Sequence, residues 1–131
     1  MVNLAINGIG RIGKLVVKLL IQNKYNLKYL NEINGDTKSL IHNLEFDSIH
    51  GRWQNQFRAE NNYIKINDIN IKTSFFKNIE DLKLENIDVI IDCTGVNKKS
   101  SKIQKYFDRG VKKVIVSGPI NEDNIVNIAY G

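Results

Sequence analysis

Three glycines and one acid carry the chemistry most plainly written in this chain. Gly8, Gly10 and Gly13 stand in Asn7-Gly8-Ile9-Gly10-Arg11-Ile12-Gly13, and an acid follows in Asn31-Glu32. The first glycine permits a tight turn. The second admits a diphosphate to the backbone, where a Cβ would collide with it, and the third lets a helix pack on a strand. The Arg11 and Ile12 amides then open a helix whose unpaired N–H groups carry partial positive charge toward the phosphates. A carboxylate about twenty residues beyond the last glycine accepts hydrogen bonds from both hydroxyls of a ribose. Glu32 has that spacing and would repel a 2′-phosphate. Ile33-Asn34-Gly35 follows it without a Lys or Arg to offset the repulsion. The implied ligand is therefore NAD rather than NADP.

Other residues of chemical interest lie further along. Thr94-Gly95 follows an apolar run, with Gly95 allowing close passage of a cofactor and Thr94 offering a hydroxyl. Ser117 ends a second such run and is placed to reach the nicotinamide side. Turns after strands commonly carry these residue types for purely local reasons, so neither pair identifies a site alone. Cys93 is the single cysteine. It has Ile91 and Asp92 before it, Thr94 after it and no histidine nearby, which describes a small buried hydrophobe rather than a nucleophile. His42 and His50 have no acidic or cysteine partner at metal spacing, and no metal site is assigned.

These residues need elements to hold them. Residues 2–6 read as a short buried strand, and Ile12, Leu15, Val16, Leu19 and Leu20 recur at helical spacing after the glycine turn. Lys14 and Lys18 mark the wet face of that helix. A second strand is expected over 27–33, then a turn at Asn34-Gly35. Asp36 is the expected N-cap of a helix bearing Leu40, Ile41 and Leu44. Tyr63-Ile64-Lys65-Ile66 and Ile69-Asn70-Ile71-Lys72 alternate apolar and polar around Asn67-Asp68, the pattern of a half-exposed antiparallel hairpin. Strands are expected at 88–93 and 113–117. Between them Ser100 to Arg109 reads as a polar helix with Ile103, Tyr106 and Phe107 on its apolar side, ended by Gly110. Alternating strands and helices predict an α/β, Rossmann-type doubly wound sheet, mostly parallel, with the hairpin as a small insertion. Right-handed crossovers bring the ends of the parallel strands to one edge, where ligands bind. Gly8–Gly13, Asn31-Glu32, Thr94-Gly95 and Ser117-Gly118 should converge there.

Bulk properties narrow the classes. At 131 residues, 42% apolar and 25% charged, the chain suits one domain over 1–131 with one core. The +5 charge is dispersed, mostly as lysine, and no nucleic-acid-binding signature accompanies it. No apolar run approaches the roughly 20 residues that span a bilayer. No basic segment precedes the first apolar run, and that run is short for a signal peptide. With one cysteine, this reads as a cytoplasmic protein.

Taken together, the motifs resemble a family. Ile6-Asn7-Gly8-Ile9-Gly10-Arg11-Ile12-Gly13 and Asn31-Glu32 resemble the opening of phosphorylating glyceraldehyde-3-phosphate dehydrogenases. Phe46-Asp47-Ser48-Ile49-His50-Gly51-Arg52-Trp53 is similar to the family's aromatic-Asp-Ser-x-His-Gly segment. Asp92-Cys93-Thr94-Gly95-Val96 and Lys112-Lys113-Val114-Ile115-Val116-Ser117-Gly118-Pro119 resemble two later motifs of its cofactor domain. The resemblance implies cofactor contacts at Arg11, Ile12, Glu32, Thr94, Gly95 and Ser117. It also places Lys77 near where the family often has an arginine beside the adenine. The family usually has Asp where this chain has Glu32, and Ala where it has Gly118. Glu at this place looks like the erythrose-4-phosphate and arsenate-resistance-associated branches, so the aldose phosphate stays open. The family forms a thiohemiacetal on a cysteine in a Ser-Cys-Thr-Thr-Asn type segment, which is expected beyond Gly131. The resemblance therefore implies the NAD-holding part of a homo-oligomeric oxidoreductase, a tetramer in the family, that acts on a sugar-phosphate aldehyde. The alternative is a stand-alone NAD-binding remnant without catalysis. Ending at Gly131 is expected to leave Ile125, Val126, Ile128 and Tyr130 uncovered.

Overall fold

A computed structural model describes residues 1–47 and 51–118. Ser48, Ile49 and His50, and the patch expected at Ile125, Val126, Ile128 and Tyr130, lie outside the described residues. The chain runs β1 (Asn3–Asn7), α1 (Arg11–Gln22), β2 (Asn26–Asn31), α2 (Thr37–Glu45), β3 (Phe46–Asp47), β4 (Gly51–Arg52) and β5 (Phe57–Ala59). It continues through β6 (Tyr63–Ile66), β7 (Ile69–Ser74), a 3₁₀ turn (Ile79–Asp81), β8 (Val89–Asp92), α3 (Ser100–Asp108) and β9 (Lys113–Val116). Seven strands form one sheet in the order β5-β6-β7-β2-β1-β8-β9, and β3 and β4 pair separately. The five strands from β7 to β9 are mutually parallel.

The hairpin is present, with Asn67 at φ 54 in its turn, but it is not an appendage. Its second strand, β7, pairs antiparallel with β6 on one side and parallel with β2 on the other. Ile64, Ile66 and Ile71 are fully buried in the same cluster as Ile6 and Leu30. Truncating any one of them to Ala removes about 2–5 kcal/mol of stability. The hairpin is thus part of the main core.

Two apolar layers cover the sheet. On one face α1 and α2 pack Val17, Leu40 and Leu44 against Ile6, Leu30 and the hairpin isoleucines. On the other, Ile103 and Tyr106 of α3 and Ile79, Leu82 and Leu84 after β7 meet Ala5, Tyr29 and Ile90. Alternation along each strand sends neighbours to opposite layers.

Two expectations shift in detail. The buried residues of α1 are Gly13 and Val17, while Ile12, Leu15 and Leu19 are exposed. Gly13 carries no side chain, so the helix approaches the sheet along the Gly13–Val17 line and turns the Ile12–Leu15–Leu19 stripe outward. In α3, Phe107 is exposed where Tyr106 is buried. The start of α2 follows expectation: the Asp36 carboxylate accepts from the Ser39 backbone N–H, and the Ser39 hydroxyl accepts from the Asp36 backbone N–H. This reciprocal cap satisfies two orphan N–H groups.

Candidate functional site

The carboxyl ends of the parallel strands share one edge, and the turns that leave them are tied across it by main-chain bonds. The Gly8 N–H donates to the Asn31 carbonyl at 2.8 Å, Glu32 N–H to Ser74 at 3.1 Å, Cys93 N–H to Asn7 at 2.7 Å and Ser117 N–H to Asp92 at 2.9 Å. Each bond fixes one turn against its neighbour. Between these turns lies a crevice of about 270 Å³, lined by Gly8, Gly10, Glu32, Phe76, Lys77 and Thr94 among others. A larger hollow of about 770 Å³ lies against β2, β7 and β6, lined by Lys28, Tyr63, Lys72 and Lys83. It touches no fingerprint glycine, and we assign no role to it.

The three glycines differ sharply in what surrounds them. Gly8 has φ +95, and a Cβ there would lie 2.7 Å from the Thr94 nitrogen. Only glycine takes such a conformation freely. A Cβ on Gly13 would lie 2.0 Å from the Gly8 carbonyl oxygen, so the helix rests directly on the turn. A Cβ on Gly10 would meet nothing within 4 Å. The first and third glycines are thus required by the protein itself, while the open space at Gly10 is space a ligand can take. Gly10 is also the N-cap of α1, without a side-chain cap, and no acid occupies the first turn. The free N–H groups of that turn suit an anion. The open cradle at Gly10 and the uncapped helix fit a dinucleotide diphosphate.

Glu32 is half-buried at the crevice wall. One of its carboxylate oxygens accepts a 3.3 Å bond from the Ile9 N–H inside the glycine turn. The acid and the turn are therefore in register. Asn31 lies one layer beneath. It is buried, with both ends of its amide used: Nδ2 donates to Asn7 Oδ1 and to the Phe76 carbonyl, and Oδ1 accepts from Ser74 Oγ and the Phe76 N–H. Its side chain anchors the Phe76–Lys77 wall instead of facing the crevice. Thr94 lines the crevice but gives its hydroxyl proton to Asp92 Oδ1 at 2.7 Å. Arg11, Ile12, Gly95 and Ser117 are exposed along the same edge without lining the crevice. His42 packs at a tilt against Phe46 and does not line the crevice.

Sequence reasoning missed two groups here. The first is Phe76, which follows β7 together with Lys77, the residue the family resemblance had set beside the adenine; the parallel pairing of β7 with β2 delivers both to the edge. The second group is a buried row of polar side chains under the crevice. Asn7 Nδ2 donates to the Tyr106 hydroxyl at 2.8 Å, which donates to Asp92 Oδ2 at 2.7 Å. Asp92 is fully buried and accepts from four neutral donors, the others being the Thr94 N–H, the Thr94 hydroxyl and Asn97 Nδ2. Burial, aided by the nearby Asp92 charge, pushes the Tyr106 hydroxyl far up, so it stays protonated and donating. Burial likewise pushes the Cys93 thiol up to about 11. A thiol so seldom ionised is a poor nucleophile near neutrality, but Cys93 is half-buried and lines the crevice instead of lying in the core that the sequence reading gave it. Among the described residues no group of three His, Cys, Asp or Glu side chains converges as a metal site would require. No described helix is long and apolar enough to cross a membrane.

The family model described as "Glyceraldehyde 3-phosphate dehydrogenase, NAD binding domain" matches residues 2–100. Glyceraldehyde-3-phosphate dehydrogenase 3 of Nostoc sp. is 33% identical over 133 residues, covering 99% of this chain and 39% of its own length. Glyceraldehyde-3-phosphate dehydrogenase 2 of Staphylococcus epidermidis is 33% identical over 98% of this chain. Glyceraldehyde-3-phosphate dehydrogenase 2 of Saccharomyces cerevisiae is 36% identical over 91% of it. The chain spans about two fifths of the length of these relatives.

Proposed function

Because this chain belongs to the glyceraldehyde-3-phosphate dehydrogenase family through its NAD-binding domain, we propose that its crevice is where NAD is held for the phosphorylating oxidation of an aldose-phosphate aldehyde. Gly10 leaves room for the diphosphate. The N–H groups that open α1, at Arg11 and Ile12, face it. Glu32 takes the adenosine ribose, exchanging its bond to Ile9 for the ribose hydroxyls. Thr94, Gly95 and Ser117 border the nicotinamide half, and Lys77 stands beside the adenine. When bound, NAD supplies a hydride acceptor. The observation that carries this reading is the contrast among the glycines, two filled by the protein and one left open.

In this reading the thiol step belongs to residues outside these 131. Burial raises the Cys93 thiol, which disfavours it as the nucleophile. The substrate is a sugar-phosphate aldehyde. Glu32 leaves the choice among the glyceraldehyde, erythrose and arsenate-linked branches to direct assay. The single thiol suits a reducing, cytoplasmic compartment, and the relatives suggest assembly with further copies.

Titration with NAD and NADP, followed by Trp53 fluorescence or calorimetry, tests the cofactor site. NAD is expected to bind and NADP to bind at least about tenfold more weakly, a difference of about 1.4 kcal/mol. Equal affinities would remove Glu32 from the role given to it. NADH formation by the 131-residue chain supplied with aldehyde and phosphate would refute the placement of the thiol step elsewhere.

A further inference from the structure

The last residues of four parallel strands stand in one row. Ser74 pairs with Asn31, Asn31 with Asn7 and Asn7 with Asp92. Residues paired across strands point to the same face, here the face covered by α3. The row is continuous in hydrogen bonds, from Ser74 Oγ to Asn31, from Asn31 to Asn7, from Asn7 to Tyr106 and from Tyr106 to Asp92. It divides into two arms at Asn7. One arm ends in Asn31, which grips Phe76 on the Glu32 side. The other ends in Asp92, which grips Thr94 by both its N–H and its hydroxyl. A dinucleotide lies across such an edge with one nucleotide on each side of the first strand. Each arm thus sits under one nucleotide.

We propose that Tyr106 and Asp92 are positioning residues for the second nucleotide of NAD. They hold the Thr94-Gly95 turn at the height of the crevice without touching the ligand. The Tyr106 hydroxyl is the keystone, since it accepts from Asn7 and donates to Asp92. Without it Asp92 keeps three of its four donors, and Asn7 Nδ2 loses the acceptor it has here. The Thr94 turn then tilts while the Asn31 arm, held by Ser74 and Phe76, stays in place. Loss of the hydroxyl should be felt by the whole dinucleotide and not by its adenosine half.

The test is titration of the full chain and its Tyr106→Phe variant with NAD and with AMP. We expect NAD affinity to fall about tenfold with AMP affinity within about twofold. Equal losses for NAD and AMP would mean a general loosening of the fold and would overturn the inference, as would no change for either. Asn97→Ala guards against a variant that fails to fold. Asn97 lies in the loop after the turn and gives Nδ2 to both Asp92 and Thr94. It is expected to weaken NAD about threefold, again sparing AMP, and equal losses there would count against the inference in the same way. The proposal rests on the crevice reading above. An unaltered chain that binds neither ligand removes that reading and this inference with it, whereas intact binding insensitive to Tyr106 removes this inference alone.

Discussion

Substituting alanine separately at Gly10 and Gly13 should separate what the glycine turn does for the fold from what it does for the ligand. At Gly13 the new methyl carbon would lie 2.0 Å from the Gly8 carbonyl oxygen, where ordinary contact is 3.4–4 Å. Both sides of that clash are backbone, so either α1 retreats or the turn opens. Overpacking of this kind destabilises by about 1–3 kcal/mol, and a shortfall beyond 1 Å against rigid backbone places Gly13→Ala at the upper end. At Gly10 there is nothing to strike within 4 Å, and φ of −83 is open to any residue. Reduced freedom of the unfolded chain stabilises alanine there by about 0.4–1 kcal/mol. Its poorer fit at an N-cap offsets about the same amount. The net change should stay within about 1 kcal/mol. The ligand sees the reverse. A methyl in the open space pushes the diphosphate off the helix N-terminus and weakens about two charge-assisted bonds at 1.5 kcal/mol each, roughly a hundredfold in affinity. Urea melts without NAD measure the first effect and NAD titration the second. The reasoning fails if Gly10→Ala binds NAD within about threefold of the unaltered chain, or if it melts as early as Gly13→Ala.

Further outcomes follow from the site and its surroundings. Glu32→Ala should weaken NAD and relax discrimination against NADP, read as the ratio of the two dissociation constants; unchanged values for both would remove the ribose role. Cys93, with its thiol raised to about 11, should react slowly with iodoacetamide at neutral pH while folded and faster after denaturation, as mass spectrometry would report; fast labelling of the native chain would contradict the raised pKa. Backbone and side-chain bonds from Ser39 lower the Asp36 carboxyl, and the Asn3 N–H followed by Lys112 lowers Asp88. A lowered folded pKa gives stability that is fully present above the ordinary value of 3.8 and lost as pH falls through the lower folded value. Thermal melts should therefore decline below about pH 4, and Asp36→Asn with Asp88→Asn should flatten that decline.

The fingerprint was legible because its requirements are local. The positive φ at Gly8 and the contact of Gly13 with the Gly8 carbonyl both arise within the turn itself, and only the clash of a Gly8 Cβ with Thr94 reaches across the chain. Element types were legible from period, as at the Asp36 cap and the alternating Tyr63–Ile66 and Ile69–Lys72 runs. Pairing partners were not. Alternation marks β7 as a strand but says nothing of β2 as its neighbour, so Phe76 went unseen as a crevice wall and Lys77 was reached only through the family resemblance. The polar row was hidden for a related reason. Asn7, Asn31, Ser74 and Asp92 each look like ordinary strand-end residues, and only the register brings them side by side. Asn31 illustrates the confusion, since its place beside Glu32 suggested a ligand contact while its amide is wholly used beneath. The outward stripe on α1 likewise depends on Gly13, because a helix with no side chain at its contact point tips closer on that side.

The register of the sheet also bears on the order in which the crevice is made. β6 and β7 meet through a two-residue turn, a local event. β1 and β8 meet across a separation of 85 residues, as the bond from the Asn3 N–H to Asp88 records. Local contacts form readily, and distant ones wait on the entropy of closing long loops. Glu32 and the glycine turn can find each other early, but Thr94 reaches them only when β8 docks beside β1. The half of the edge proposed to meet the adenosine is thus expected to form ahead of the half proposed to meet the nicotinamide. A dinucleotide that needs both would act as a clasp, selecting from the folding chain only those molecules in which β8 has already docked beside β1.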